Sequence, residues 1–247
     1  MIDLAPNATS VGMLLLFSFG MGLRHALEPD HLAAVSTIVS DRKSILSASL
    51  VGGLWGIGHT LALVAAGVLV IGLQFQITDR LANFLELAVA AMLILLGLDT
   101  IRKVISGGKV HWHLHKHGGI THAHPHVHDR SETESHTAAA ETHHGLKLTA
   151  RPLIVGMVHG MAGSGALMLL ILATISSPAV AFSYIVVFGI GSIGGMMAMS
   201  MLIGLPFHFT LDRFSGAERL LRGGAGIFSL GFGLFWAAAN LYSLAGN

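Results

Sequence analysis

The chain of 247 residues contains no cysteine and few charged residues. The absence of cysteine excludes disulfides and thiolate metal sites, so a tight metal site must use imidazole, carboxylate, thioether or backbone oxygen ligands. Charged residues make up 11% of the chain, roughly half the share in a soluble globular protein. With 53% hydrophobic residues and a mean hydropathy of +0.70, the composition predicts a polytopic membrane protein.

The signals of several other protein classes are also missing. A net charge of +1 gives no basis for a nucleic-acid partner. The sequence has no nucleotide-binding loop and no His-Glu-x-x-His element, so we expect neither ATP-driven transport, nor enzymatic activity, nor a resident cofactor. Residues 1–10 lack the Lys and Arg of a cleavable signal peptide, so we expect the first apolar segment to remain as a helix.

Six apolar stretches reach the length of about 20 residues that a bilayer helix needs. They are residues 11–39, 47–73, 81–105, 152–175, 179–205 and 219–243. With the N-terminus outside, all 14 Lys and Arg except Arg24 and Arg80 fall at the cytoplasmic side, as the positive-inside rule requires. The sequence therefore predicts a multi-pass protein of the inner or plasma membrane, with both termini outside and the loop 106–151 in the cytoplasm.

A weak internal repeat relates the two halves of the chain. Three matches have offsets of 134, 133 and 134 residues: His25 with His159, 54–60 (LWGIGHT) with 187–193 (VFGIGSI), and 96–99 (LGLD) with 230–233 (LGFG). Because three helices are an odd number, the second half must be inserted upside down. We therefore expect an all-α integral membrane protein with six transmembrane helices in two inverted three-helix repeats, residues 1–105 and 152–247, and a site near the midplane.

Residues 24–31 (RHALEPDH) place five ionisable side chains inside the first apolar stretch. Each charge near the middle of a bilayer costs on the order of 3 kcal/mol, so such residues usually face a cavity, a partner or a transported ion. Two imidazoles beside carboxylates indicate a metal ion.

Pro29 decides which of these side chains can meet. It removes its own N–H and frees the carbonyl of His25, which predicts a kink or break in the helix. A bent segment can bring His25, Asp30 and His31 together, whereas a straight helix places His25, Glu28 and His31 on one stripe. The sequence leaves open which carboxylate is the ligand.

Four other polar residues within the apolar stretches are candidates for the same site: His59, Asp99, His159 and Ser192. His159 gains support from its repeat match to His25, although a buried histidine bonded to a neighbouring carbonyl is the alternative. Asp99 lies near the end of its stretch and could pair with Arg102 instead. Small residues such as Ser192 are favoured at contacts between membrane helices, which is the simpler explanation for that residue.

These motifs resemble those of the nickel/cobalt transporter family, including its shorter relatives found as membrane-bound urease-accessory proteins. The resemblance lies in RHALEPDH (24–31) with its His-x4-Asp-His core, in GIGHT (56–60) and in GMVHGMAGSGAL (156–167). It covers the first two helices closely and all six loosely. The resemblance implies that the signature metal residues are His25, Asp30 and His31, with His59 as a further polar contributor.

The sequence departs from the family pattern in three places. Glu28 and Pro29 stand where the family more usually has Asp-Ala, and the segment LGLDT (96–100) is followed by Arg102 and Lys103 without the acidic residue expected there. The larger members of the family also have eight spans, against the six predicted here.

The predicted cytoplasmic loop, residues 106–151, carries 11 of the 16 histidines. Its polar, low-complexity composition predicts disorder without a packed domain. Imidazoles at this density bind divalent transition metals, so we expect metal buffering by two alternating runs: His111, His113, His115 and His117, then His122, His124, His126 and His128. A solvated linker of biased composition is the alternative.

The resemblance implies transport of Ni²⁺, Co²⁺ or both, by uptake for the maturation of metalloenzymes such as urease or hydrogenase. It also implies cytoplasmic metallochaperones or urease accessory proteins as partners, besides the lipid bilayer. Two alternatives stay open: efflux of the same metals, which the histidine-rich loop also suits, and proton-coupled export of another solute, in which the membrane charges relay protons.

Overall fold

The computed structural model describes residues 8–42, 44–73, 78–106, 110–117, 120–127, 150–162, 175, 177–210 and 215–245. Within these ranges the chain forms helices and one hairpin: α1 (Ala8–His25), α2 (Pro29–Val39), α3 (Ile45–Gly72), α4 (Asp79–Ile105), β1 (Val110–His117), β2 (Ile120–Val127), α5 (Arg151–Gly160), α6 (Pro178–Thr210) and α7 (Ser215–Ala245).

Local sequence signals account for where several helices begin. The Ser44 hydroxyl caps α3 by accepting a hydrogen bond from the backbone N–H of Ser47, and Thr78 caps α4 through the N–H of Leu81. Proline stands in the first turn of α2 and α5, where the missing N–H has no helical partner to lose.

Four helices, α3, α4, α6 and α7, are each long and apolar enough to cross a membrane. The α1 and α2 pair passes the same test jointly but is bent by 56° between Thr9–His25 and Pro29–Val39, which makes up to five candidate spans. Helix α5 covers only the start of the fourth predicted span, and residues 163–174 lie outside the described part of the chain. The helical membrane architecture is therefore confirmed, while six spans and their inversion stay predictions.

The long helices pack through small residues. Helix α3 lies along α6 and α5, α1 lies along α6, and α4 pairs with α7. A Cβ on Gly156 or Gly160 of α5 would collide with the backbone of α3 around Trp55 and His59, so only glycine permits this approach. The close contact fixes the end of α5 against the middle of α3.

A hairpin occupies part of the loop that the sequence predicts to be disordered. Strands β1 and β2 pair antiparallel, with His111 opposite His126, His113 opposite His124 and His115 opposite His122. The His-x-His alternation has the period of two that is typical of a strand. Other loop residues, including His128, lie outside the described ranges.

Candidate metal centre

The break between α1 and α2 positions the charged run. Helix α1 ends at His25, the N–H of Glu28 donates to the carbonyl oxygen of His25 at 3.1 Å, and α2 begins at Pro29. The bent geometry is therefore the one the chain adopts. The carbonyl of His25 loses its helical partner at Pro29, and a tight turn through the N–H of Glu28 takes the place of the lost bond.

His25, His31 and His59 form one group at the break. The Nε2 atoms of His25 and His59 lie 2.9 Å apart, and the rings of His25 and His31 pack edge to face with centroids 4.3 Å apart. All three side chains are buried, and one nitrogen from each lies within 4.8 Å of the others. Two ligands on opposite sides of an ion would be about 4.2 Å apart at a metal–nitrogen distance of ~2.1 Å, so small shifts would bring the three onto one ion.

Asp30, His31 and His159 form a second group that meets the same limit of 4.8 Å. The Asp30 carboxylate accepts from both neighbours: its Oδ2 lies 2.9 Å from Nε2 of His159, and its Oδ1 lies 3.1 Å from Nδ1 of His31. Asp30 is 16% exposed and both histidines are 1% exposed. We call these five residues, His25, Asp30, His31, His59 and His159, the histidine cluster.

Several nitrogens of the histidine cluster have no hydrogen-bond partner within the described ranges. These buried atoms are Nε2 of His31, Nδ1 of His59 and Nδ1 of His159. A buried polar atom without a partner costs free energy. A cation bound to the free lone pair of such a nitrogen would recover that free energy. Neutral imidazole with a carboxylate is a donor set suited to nickel, cobalt and zinc.

Aromatic side chains that the sequence did not single out close two sides of the cluster. The Trp55 ring centroid lies 5.2 Å from that of His31 and 5.5 Å from that of His159, and Phe188 lies 5.3 Å from His25. Trp55 is one helical turn before His59 on α3, and this spacing was the signal that could have identified it.

Glu28 and Ser192 lie outside both groups of the histidine cluster. Glu28 pairs with His25, with Oε2 3.1 Å from Nδ1 of that residue, and is 38% exposed. Ser192 is fully buried on α6, where its backbone lies against Gly22 of α1, and its hydroxyl has no hydrogen-bond partner among the described residues. Small residues such as Ser192 let membrane helices approach closely, and its role as a site residue stays a prediction.

Asp99 lies in a separate set of ion pairs at the end of the helices where the loop begins. Its Oδ2 accepts from Arg151 at 2.9 Å and lies 3.3 Å from Nζ of Lys103, which also donates to Asp41 at 2.9 Å. Arg222 of α7 joins Asp41 at 3.3 Å. We call Asp41, Asp99, Lys103, Arg151 and Arg222 the ion-pair network.

The chain is similar in sequence to known proteins. The urease accessory protein UreH of Bacillus sp. (strain TB-90) is 34% identical over 194 residues, which cover 78% of this chain and 77% of that protein. The high-affinity nickel transport protein of Cupriavidus necator is 32% identical over 96 residues, which cover 36% of this chain and 27% of that protein. No protein-family model and no solved structure matches the chain.

Proposed function

We propose that this chain, which belongs to the nickel/cobalt transporter family, carries Ni²⁺, Co²⁺ or both across the membrane as substrates. The names of its relatives describe an accessory protein and a transport protein, neither of them an enzyme. We infer a non-enzymatic role for this chain as well.

The histidine cluster is the observation that carries this proposal. It gathers four imidazoles and one carboxylate from α1, α2, α3 and α5 among apolar helices. Ionisable groups within membrane-spanning segments cost free energy and are usually functional. We infer that His25, Asp30, His31, His59 and His159 bind the metal in transit, with Asp30 as the carboxylate ligand in preference to Glu28.

The packing of glycines supports two inverted repeats of three helices each. A Cβ on Gly22 would collide with the carbonyl oxygen of Phe188 and the backbone nitrogen of Ser192. Gly156 lies 134 residues after Gly22, and a Cβ there would collide with the carbonyl oxygen of Trp55 and the backbone nitrogen of His59. Trp55 and His59 lie 133 residues before Phe188 and Ser192, respectively. The contact of α1 with α6 is thus repeated by α5 with α3, as a two-fold relation between residues 1–105 and 152–247 requires.

We propose six membrane crossings, of which residues 152–175 form the fourth, with both termini outside and the loop in the cytoplasm. The distribution of Lys and Arg supports this orientation. The loop, residues 106–151, would then meet metal on the side where metallochaperones or urease accessory proteins collect it. Its histidines would buffer the ion without belonging to the membrane site.

We propose uptake as the direction of transport. An inside-negative membrane favours entry of a divalent cation by roughly 4.6 kcal/mol per 100 mV, at about 2.3 per charge. Efflux would need a second gradient to oppose this potential. The similarity to a nickel transport protein described as high-affinity also favours capture of scarce metal over export of surplus.

Flux of radioactive nickel into liposomes that hold the purified protein tests the proposal. We expect an inside-negative potential to accelerate entry in the parent, and His31→Ala to abolish it. The matched control is His208→Ala, because His208 lies at the far end of α6 outside the histidine cluster.

Equal flux in His31→Ala and parent would contradict the proposed site. Absence of metal flux, with proton-coupled movement of another solute, would support the relay alternative instead. In cells starved of nickel, expression should raise accumulated nickel and urease activity. Lower accumulation with better survival in toxic nickel would establish efflux.

A further inference from the structure

The five residues of the histidine cluster fall into two groups of three instead of one group of five. One group is His25, His31 and His59, and the other is Asp30, His31 and His159. His31 belongs to both. The question is whether the two groups hold an ion together or in turn.

His31 can serve each group with a different nitrogen. Its Nδ1 lies 3.1 Å from Asp30, on the side of the second group, while its buried Nε2 has no hydrogen-bond partner within the described ranges. Its ring centroid lies 4.3 Å from that of His25 and 4.3 Å from that of His159. His31 therefore stands midway between the two histidines that distinguish the groups.

The two groups carry different charge. The first offers only imidazoles, whereas the second includes the Asp30 carboxylate, bonded to His159 at 2.9 Å. Two divalent cations bridged by one imidazole would repel each other strongly in a medium of low dielectric, so one ion at a time is the stable occupancy. That ion is held more firmly beside the carboxylate and more loosely beside the imidazoles alone.

The repeat gives the two groups a direction. His25 and His159 are separated by the repeat offset, and each stands at or next to the last residue of its helix, α1 or α5. An axis in the membrane plane that exchanges the halves would place these two histidines on opposite sides of the midplane. A step from one group to the other is then a step along the transport path.

We propose that a single metal ion occupies two alternative positions that share His31, one with His25 and His59 and one with Asp30 and His159, and passes between them during transport. The proposal rests on the proposed function, since it describes how the same cluster moves its substrate. In each position His31 supplies a different ring nitrogen as ligand, and the ring proton is on the other nitrogen, so it moves to the nitrogen that the ion leaves.

Cobalt absorption spectra of purified full-length protein test the two positions. The 11 loop histidines are replaced by asparagine, which leaves the chain length unchanged and keeps cobalt bound by the loop out of the spectra. His59→Ala removes a ligand of the first position only, and His159→Ala removes a ligand of the second only. His31→Ala damages both, and His208→Ala serves as the control.

We expect His59→Ala and His159→Ala each to bind one Co²⁺ per chain with different visible spectra, and each to lose at least tenfold of nickel flux. Asp30→Asn is nearly isosteric, and its spectrum should match that of His159→Ala. We expect His31→Ala to bind Co²⁺ at least tenfold more weakly than either single-position variant.

Identical spectra in His59→Ala and His159→Ala would overturn the proposal, as would loss of Co²⁺ binding in either variant. Simultaneous binding of two ions by the parent would overturn it too. If His59→Ala and His159→Ala give distinct spectra but the parent transports no nickel, the two positions stand and only the proposed function is refuted, because binding is measured without transport.

Discussion

The histidine cluster and the ion-pair network place polar side chains in opposite environments. The four histidines of the cluster are at most 5% exposed, whereas Arg151 and Asp41 of the network are 52% and 41% exposed. The network pairs its charges with one another and with Glu218, and water screens its exposed members. Its one buried nitrogen without a hydrogen-bond partner among the described residues is Nε of Arg222, a cationic donor that cannot bind a metal ion. The cluster leaves buried nitrogens without partners in the described part of the chain, so it is the region that needs a cation.

Two short helices connect these regions. Helix α2 begins beside Asp30 of the cluster, and Asp41 of the network lies two residues beyond its end. Helix α5 begins at Arg151 of the network and carries His159 of the cluster in its last turn. Each helix is about 15 Å long at ~1.5 Å per residue, so one half of a membrane separates metal binding from the ion pairs.

The largest effect is expected from a change that breaks the cluster. Asp30→Asn removes the charge that pairs with His31 and His159 and should lower nickel flux at least about 100-fold, since even partners of metal ligands contribute 10- to 100-fold. The measurement is initial flux from equal amounts of inserted protein. Asp79→Asn, the same change in the exposed first turn of α4, should retain the parent flux.

A smaller effect is expected at the edge of the cluster. Glu28 is 38% exposed and contacts His25, so Glu28→Gln should lower flux about fivefold or less, the equivalent of the ~1 kcal/mol that an exposed ion pair rarely exceeds. A loss as large as that of Asp30→Asn would make Glu28 a ligand and revive the straight-helix geometry.

A still smaller effect is expected in the network. Asp99→Asn removes the ion pairs to Arg151 and Lys103, each worth about 0–1 kcal/mol at this exposure, so flux should change about twofold at most. The change should shrink further at high salt, because exposed pairs are screened. Arg102→Gln, in the next turn of α4, is the control. A tenfold loss in Asp99→Asn would show that the network takes part in transport.

The sequence was sufficient for features that depend on neighbouring residues. Pro29 predicts the break between α1 and α2, because a missing N–H acts on the turn that contains it. The apolar stretches predict the long helices for the same reason, since length and hydropathy are local properties.

Features that depend on helix crossings could not be read from the sequence. Spacing alone offers Arg102, one turn away, as a partner for Asp99, yet the structure pairs Asp99 with Arg151, 52 residues away, and with Lys103. The division of the cluster into two groups depends on where α5 crosses α3, which glycine contacts at Gly156 and Gly160 determine. Nothing in the spacing of the histidines encodes that crossing.

The smallest effect on flux is expected from the histidine-rich loop between α4 and α5. Replacing its 11 histidines with asparagine should lower the number of metal ions bound per chain, because most imidazoles are lost, yet change flux less than about twofold. Equilibrium dialysis gives the stoichiometry and the liposome assay gives the flux. If flux disappears while the protein inserts normally, the loop hands metal directly to or from the cluster, and the separation of transport by the cluster from buffering by the loop fails.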